Sequence, residues 1–167
     1  MSSDPQPTPA SPRQQKRLSR PALFMQVAVL FGQRSSCPRA DVGAVAVLDR
    51  RIIATGYVGA PSGLPHCDVV GCDIGPEGGC VRTIHAEANL ITWAARTGTS
   101  LSGAVMYCTH APCRNCAQLI ANAGFKALVY GKLYRDPRGL QLLRLLDIYS
   151  YDITKTSHGL DQVLHES

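Results

Sequence analysis

His85-Ala86-Glu87 and Pro112-Cys113-Arg114-Asn115-Cys116 are the two stretches around which this sequence is organised. The first supplies an imidazole and, two residues later, a carboxylate, and the second supplies two thiols three positions apart. Three nitrogen or sulfur ligands with one open position are typical of a catalytic zinc site, whereas a structural site closes with four protein ligands. Zinc lowers the pKa of a bound water to about 7. An unligated Glu87 would then carry protons between that water and a leaving amine.

Neither motif is informative alone, because a lone Cys-x-x-Cys also fits a redox pair or half of a zinc ribbon. Here a strand-like segment leads into the second motif, and the two motifs follow each other in the order typical of zinc-dependent deaminases of nucleobases. The sequence therefore predicts an enzyme with a catalytic zinc held by His85, Cys113 and Cys116, and with Glu87 as its catalytic proton carrier.

The composition is that of an ordinary globular protein, with 167 residues, 45% of them hydrophobic and 17% charged. The formal net charge is +5, but residues 1–20 hold four basic side chains against one acidic one. The remainder is only mildly basic, which argues against nucleic acid as a partner. No apolar run approaches the roughly 18 residues of a membrane span. Seven cysteines without a secretory signal favour metal binding and a cytoplasmic location.

We expect three parts in the chain. Residues 1–20 are rich in Pro, Ser and Gln and are predicted to form a disordered basic tail, which is more typical of a solvated segment than of a docking site for an acidic partner. Residues 21–155 are predicted to form the zinc-dependent deaminase domain, and residues 156–167 a C-terminal tail.

Hydrophobic periodicity predicts the elements of this domain. Residues 42–48 and 51–57 are two apolar runs joined by Asp49-Arg50, which predicts a β-hairpin buried on one face by helices. Residues 58–82 are predicted to form a long loop. Further strands are predicted at 104–109, 127–130 and 148–153, and helices at 21–33, 83–95, 112–124 and 139–146. This order predicts an α/β protein with a five-stranded sheet layered with helices.

The sequence also resembles the deoxycytidylate (dCMP) deaminase family of the cytidine deaminase superfamily. The similar stretches are 35–49, 51–68, 80–91, 106–130 and the segment from Tyr134 onward. The resemblance implies a three-layer αβα sandwich with a five-stranded mixed sheet, and hydrolytic deamination of dCMP to dUMP and ammonia. It also implies a homo-oligomer, from dimer to hexamer, with dCTP and dTTP as effectors. The backbone N–H groups of Ala86 and Cys113 would hold the pyrimidine carbonyl and the attacking hydroxide.

Val58 is the main departure from this family, whose members place an asparagine there to bind a sugar hydroxyl. A hydrogen bond lost from a buried hydroxyl costs about 1–3 kcal/mol. Another group or water could hold the sugar around an intact dCMP site, or the substrate could lack that hydroxyl. The alternative function is deamination of another amino-heterocycle, such as another cytosine nucleotide or nucleoside, a modified cytosine or a specialised-metabolite precursor. The departure also bears on control by dCTP and dTTP.

Four further cysteines, Cys37, Cys67, Cys72 and Cys80, match a closed all-cysteine zinc site that would anchor the long loop. His66 could replace one of these thiolates, and free cysteines packed in the loop are the alternative. Family members carry a second, structural zinc in this region.

The residues that contact the substrate are harder to predict from the sequence than the metal ligands. The candidates for the 5′-phosphate are Arg34, Arg39, Lys132, Arg135 and Arg138. Most of them are expected to be ordinary surface charges, and we favour Arg34 and Arg39 because arginine suits bidentate phosphate contacts. Asn89 lies one helical turn after His85 and is expected either to line the pocket or to orient the helix.

Overall fold

The computed structural model of the chain describes residues 17–76, 78–155, 160 and 164. The helices with described bounds are α1 (Arg20–Gly32), α2 (Cys67–Val70), α3 (Ala86–Thr97), α4 (Arg114–Asn122) and α5 (Arg138–Leu145). The strands are β1 (Gly43–Leu48), β2 (Arg51–Tyr57), β3 (Val105–His110), β4 (Ala127–Lys132) and β5 (Tyr149–Asp152). Apart from α2, this is the order of elements that the sequence predicts.

The five strands form one mixed sheet in the order β2-β1-β3-β4-β5. Strand β1 pairs antiparallel with both β2 and β3, whereas β3, β4 and β5 run parallel. The hairpin between β1 and β2 turns through Asp49 and Arg50, whose φ angles are 47° and 62°. Two consecutive residues with positive φ are what a two-residue type I′ hairpin requires. The predicted five-stranded mixed sheet is therefore confirmed.

Both faces of the sheet are covered, which gives the three layers. Alternate residues of β3 point to opposite faces, so Tyr107 packs under α1 with Phe24 whereas Met106 packs under α3 with Leu90. The prediction of a hairpin buried on one face is wrong for β1, which is buried on both faces. The reason is its position between β2 and β3, where helices lie above and below it.

The loop predicted over residues 58–82 is more ordered than the sequence suggests. It contains the one-turn helix α2 and an isolated β-bridge between Ile74 and Cys80. A second bridge joins Gly59 to Ile84, so the two ends of the loop are paired immediately before His85. A four-residue helix is too short to produce a periodic apolar pattern, which explains why it could not be predicted from the sequence.

The predicted tails lie mostly outside the described residues. At the first boundary, Ser19 caps α1 by accepting a hydrogen bond from the backbone N–H of Ala22, and the helix begins at Arg20. In the C-terminal segment, Leu160 and Leu164 are 1% and 2% exposed and belong to the core cluster beneath α1. The proposed division into residues 1–20, 21–155 and 156–167 stays a prediction.

Among the described residues, no helix combines the length and the hydropathy that crossing a bilayer would require.

Gly139 lies where the start of α5 packs against the residues just before α4, and only glycine fits there. A Cβ on Gly139 would collide with the backbone carbonyl of Pro112. Gly139→Ala should therefore push α5 away from the segment that carries Cys113 and lower the free energy of unfolding by about 1–3 kcal/mol. Thermal unfolding of the purified protein measures this change. Gln141→Ala, an exposed position on the same helix, is the matched control, and equal stability of the two variants would contradict the close packing.

Candidate active site

The ends of two helices bring the first motif and the second together. His85 is the N-cap residue of α3 and Cys113 is the N-cap residue of α4, both in an extended backbone conformation. Cys116 lies in the first turn of α4 and is buried. The sequence predicts that His85 and Cys113 lie inside the first helical turns, whereas the structure places each of them one residue before its helix. The functional side chains therefore project from the positive ends of two helices.

The three side chains have the spacing of a tetrahedral zinc site. The Nδ1 atom of His85 lies 3.5 Å from the Sγ atom of Cys113 and 3.5 Å from that of Cys116. Tetrahedral zinc with Zn–N of about 2.1 Å and Zn–S of about 2.3 Å places nitrogen and sulfur about 3.6 Å apart. All three ligand atoms lie within 4.8 Å of one another. The donor set and its dimensions thus fit zinc, as the sequence predicts.

The thiols of this group have different proton affinities. A hydrogen bond from Cys116, assisted by His85, lowers the pKa of Cys113 to about 4. The hydrogen bond with Cys113 in turn raises the pKa of His85. The hydrogen bond between Cys116 and Cys113, together with burial, raises the pKa of Cys116. Cys113 is therefore ready to act as a thiolate, and occupation by a cation would displace the proton that remains on Cys116.

Glu87 is buried beside these ligands. Its side chain is in the first turn of α3 and the residue is only 4% exposed. Burial raises the pKa of Glu87 to about 7. The charge of His85 and a hydrogen bond with Cys116 act on the pKa of Glu87 in the opposite direction to burial. A carboxyl group that titrates near neutral pH can both accept and return a proton, which is the property required of a general acid–base.

A cavity of about 300 Å³ opens over this group. Its walls include residues from five parts of the chain: the loop after α1, the ends of β2 and β3, the long loop and the segment after β4. Its lining consists of Cys37, Arg39, Ala40, Val42, Val58, Gly79, Cys80, Thr83, His85, Ala86, Glu87, His110, Ala111, Cys113, Leu133, Tyr134 and Arg135.

Three of the five predicted substrate contacts lie in this lining, namely Val58, Ala86 and Arg39. Arg34 is exposed and is not part of the lining. Asn89 is not part of it either, because its side-chain amide donates a 2.8 Å hydrogen bond to the backbone carbonyl of Tyr57. That bond ties α3 to β2, which corresponds to the orienting alternative rather than to direct contact with substrate.

Two lining residues, His110 and Tyr134, did not stand out in the sequence as parts of the site, whereas Arg135 is one of the sequence's phosphate candidates. His110 ends β3, and Tyr134 and Arg135 follow β4. The ring of Tyr134 meets that of His85 edge-on, with 6.4 Å between the centroids, and the guanidinium of Arg135 lies 5.6 Å from the centroid of Tyr134. Ligands in α/β folds collect at the carboxyl ends of parallel strands, and applying this rule to β3 and β4 would have found them.

A second thiol group lies beside the cavity. The sulfur atoms of Cys67, Cys72 and Cys80 lie within 4.8 Å of one another, and those of Cys67 and Cys80 are 3.7 Å apart. Two sulfurs on one tetrahedral zinc are separated by about 3.8 Å. Cys37 is outside this close group, but it is near enough for its charge to contribute, after burial and Cys80, to the raised pKa of Cys72. A four-cysteine site completed by Cys37 stays a prediction.

The loop thiols also differ in proton affinity. Burial raises the pKa of Cys67 to about 11. Burial acts in the same direction on Cys80, but hydrogen bonds from the backbone of Arg82 and Asp73 outweigh it and lower the pKa of Cys80 to about 7. Backbone donors aimed at a sulfur are the environment of a metal-binding thiolate.

Comparison with known proteins finds a matching protein family and several similar proteins. Residues 18–132 match the family described as "Cytidine and deoxycytidylate deaminase zinc-binding region". ComE operon protein 2 of Bacillus subtilis is 42% identical over 120 residues, which cover 72% of this chain and 63% of that protein. Deoxycytidylate deaminase of Mycobacterium phage D29 is 40% identical, with 69% of this chain and 98% of that one covered.

Solved structures agree with this match. The dCMP deaminase of cyanophage S-TIM5, crystallised in complex with dCMP and dUMP, superposes with a TM-score of 0.70 at 32% identity. The match covers 86% of this chain and 98% of that one.

We expect the purified protein to contain two zinc ions per chain, measured by elemental analysis. Cys113→Ala should remove the zinc next to Glu87, and Cys67→Ala should remove the one in the loop, because each takes away a thiolate from one group only. Cys108→Ala is the matched control, since Cys108 is buried in β3 and belongs to neither group. One zinc per wild-type chain, unchanged by Cys67→Ala, would refute the loop site.

Proposed function

The chain belongs to the cytidine and deoxycytidylate deaminase family, and from this premise we propose that it catalyses the hydrolytic deamination of dCMP to dUMP and ammonia. The observation that carries the proposal is the buried carboxyl group of Glu87 beside the three-ligand group of His85, Cys113 and Cys116, at the base of a cavity. Relatives named deoxycytidylate deaminase support the choice of substrate.

His85, Cys113 and Cys116 would hold the zinc, which supplies a Lewis acid and a water of lowered pKa at the open position. Glu87 accepts a proton from the attacking water and delivers it to the ring nitrogen next to the amino-bearing carbon. The carbon–nitrogen bond then breaks, and Glu87 passes the second proton of the water to the departing ammonia. Its pKa of about 7 allows the same carboxyl group to serve in both directions.

The backbone N–H groups at the starts of α3 and α4 are suited to orient the pyrimidine. Ala86 is the first residue of α3 and is fully buried in the cavity wall. Its N–H is one of the helix-terminal donors that have no partner within the helix. We assign to it the pyrimidine carbonyl, and to the N–H of Cys113 the attacking oxygen, so that the reacting carbon lies next to Glu87.

Two arginines approach the same part of the cavity rim. The Nη2 atom of Arg39 donates a 3.0 Å hydrogen bond to the carbonyl of Gly78. The Nη2 atom of Arg135 lies 3.5 Å from the position that a Cβ on Gly79 would occupy. Two guanidinium groups that meet at one glycine pair are suited to bind a doubly charged phosphate. We propose that Arg39 and Arg135 bind the 5′-phosphate.

Deamination of another amino-heterocycle is not favoured. Val58 does line the cavity, and its backbone N–H is engaged with the carbonyl of Val42 at 3.0 Å. However, the relatives with which this chain shares 34–40% identity over most of its length include several named deoxycytidylate deaminase. Val58 is therefore better explained by a different contact to the sugar within a dCMP site.

Assembly, regulation and location remain proposals. We propose a homo-oligomer, from dimer to hexamer, with dCTP and dTTP as effectors and the cytoplasm as its location. The oligomer and the effectors rest on the family resemblance, and the location rests on the cysteine content of the sequence.

Wild-type protein loaded with zinc should convert dCMP to dUMP, followed by ultraviolet absorbance, in preference to cytosine. Glu87→Gln should bind the same amount of zinc but lower kcat by about 10²- to 10⁴-fold, because it removes the group that transfers protons. A Glu87→Gln enzyme with near wild-type kcat would reject the role of this carboxyl group. Absence of turnover of dCMP by zinc-loaded wild type would reject the proposed substrate.

The phosphate assignment has its own test. Arg39→Gln and Arg135→Gln should each raise the KM for dCMP by about tenfold, since each removes a charge-assisted hydrogen bond. Steady-state kinetics with deoxycytidine, which has no phosphate, should show no such rise. Arg96→Gln is the matched control, because Arg96 lies at the far end of α3. Equal effects on the two substrates would contradict the assignment.

A further inference from the structure

Three strand ends form one wall of the cavity. The register of β1 with β2 pairs Gly43 with Tyr57, and one more step pairs Val42 with Val58. The 3.0 Å hydrogen bond from the N–H of Val58 to the carbonyl of Val42 agrees with that step. The register of β1 with β3 pairs Ala44 with Cys108, and two more steps place His110 opposite Val42. Val58, Val42 and His110 thus form a row across the sheet, and all three line the cavity.

His110 is the member of this row whose side chain can form a hydrogen bond, since the other two members are valines. Adjacent strands lie about 4.8 Å apart, so the row spans roughly 10 Å from Val58 to His110. That length is comparable with the sugar and phosphate of a nucleotide. Because the proposed mechanism places the reacting carbon next to Glu87, the sugar–phosphate part of the substrate must extend along the other walls of the cavity.

A hydrogen bond with the side chain of Thr109 orients the ring of His110. Its Nδ1 atom lies 3.1 Å from the hydroxyl oxygen of Thr109, and that oxygen also accepts a 3.2 Å hydrogen bond from the backbone N–H of Gly43. The hydroxyl proton of Thr109 is therefore available to His110, and we assign the neutral tautomer in which Nδ1 accepts it and Nε2 carries the ring proton. A protonated ring would also carry a proton on Nε2. With that tautomer assigned, Nε2 is a hydrogen-bond donor in either protonation state.

We propose that His110 is a specificity-determining residue for this reaction, whose Nε2–H donates a hydrogen bond to an oxygen of the nucleotide's sugar–phosphate part. The acceptor is a phosphate oxygen or the 3′-hydroxyl. This contact replaces the one that an apolar residue at position 58 cannot make. The inference rests on the proposed function, because it assumes a nucleotide in the cavity.

The test compares His110→Leu with His110→Gln, whose amide keeps a donor of similar reach. With dCMP, His110→Leu should raise KM about tenfold with kcat within about twofold, because the contact binds ground state and transition state alike. His110→Gln should recover most of that loss. Equal losses in the two variants, or a wild-type KM in His110→Leu, would overturn the proposal. A purely structural role would instead lower the melting temperature and zinc content of both variants without a selective change in KM.

Three substrates distinguish the two acceptors. If the phosphate accepts the hydrogen bond, the loss in His110→Leu disappears with deoxycytidine. If the 3′-hydroxyl accepts it, the loss disappears with 2′,3′-dideoxycytidine monophosphate. A loss of the same size on dCMP and on both analogues would overturn the proposal.

Wild-type turnover of dCMP separates this inference from the proposed function. If wild type turns over dCMP, the proposed function stands whatever the His110 variants do. If it does not, the same comparison is made by calorimetric binding of dCMP, deoxycytidine and the dideoxy nucleotide. Equal affinities of wild type and His110→Leu for all three ligands would then overturn the role of His110.

Discussion

The site depends on one constraint, which is that two helices begin at the same edge of the sheet. The N-cap residues of α3 and α4, together with Cys116 in the first turn of α4, place a ring nitrogen 3.5 Å from each of two sulfurs. Helix starts present unpaired N–H groups and partial positive charge, which stabilise an ionised Cys113 and offer donors to a bound pyrimidine. The fold therefore supplies both the metal ligands and the electrostatic environment that makes them useful.

Much of the fold could be predicted from the sequence, because local signals coincide with tertiary ones. The apolar runs at 42–48 and 51–57 and the motif at 112–116 lie at the expected elements. Non-local packing was harder to predict. The helix α2 is one turn long, and the burial of Leu160 and Leu164 depends on contacts with distant parts of the chain. Burial of β1 on both faces likewise follows from its neighbours in the sheet, which the sequence does not specify.

The candidate site likewise contains residues that could be predicted from the sequence and residues that could not. His85, Glu87, Cys113 and Cys116 are recognisable because their spacing along the chain is part of the chemistry. The other walls of the cavity come from segments far apart in the sequence. Strand register brings His110 level with Val58, and the parallel pairing of β3 with β4 brings Tyr134 next to His85. Arg34 and Asn89 show the converse, since proximity along the chain to a functional segment did not place them in the cavity.

The burial of Leu160 and Leu164 has a consequence for how the polypeptide matures as it is synthesised. These leucines complete an apolar cluster that includes Phe24, Val45 and Tyr107, which are translated long before them. A nascent chain that has emerged only as far as residue 155 carries every strand that the structure describes and both metal-binding motifs, yet one side of its sheet still lacks these two partners. Domains with transiently exposed apolar surface are prone to association. During translation, the metal-binding residues can therefore come together before Leu160 and Leu164 are available to pack on the other face of the sheet, next to α1.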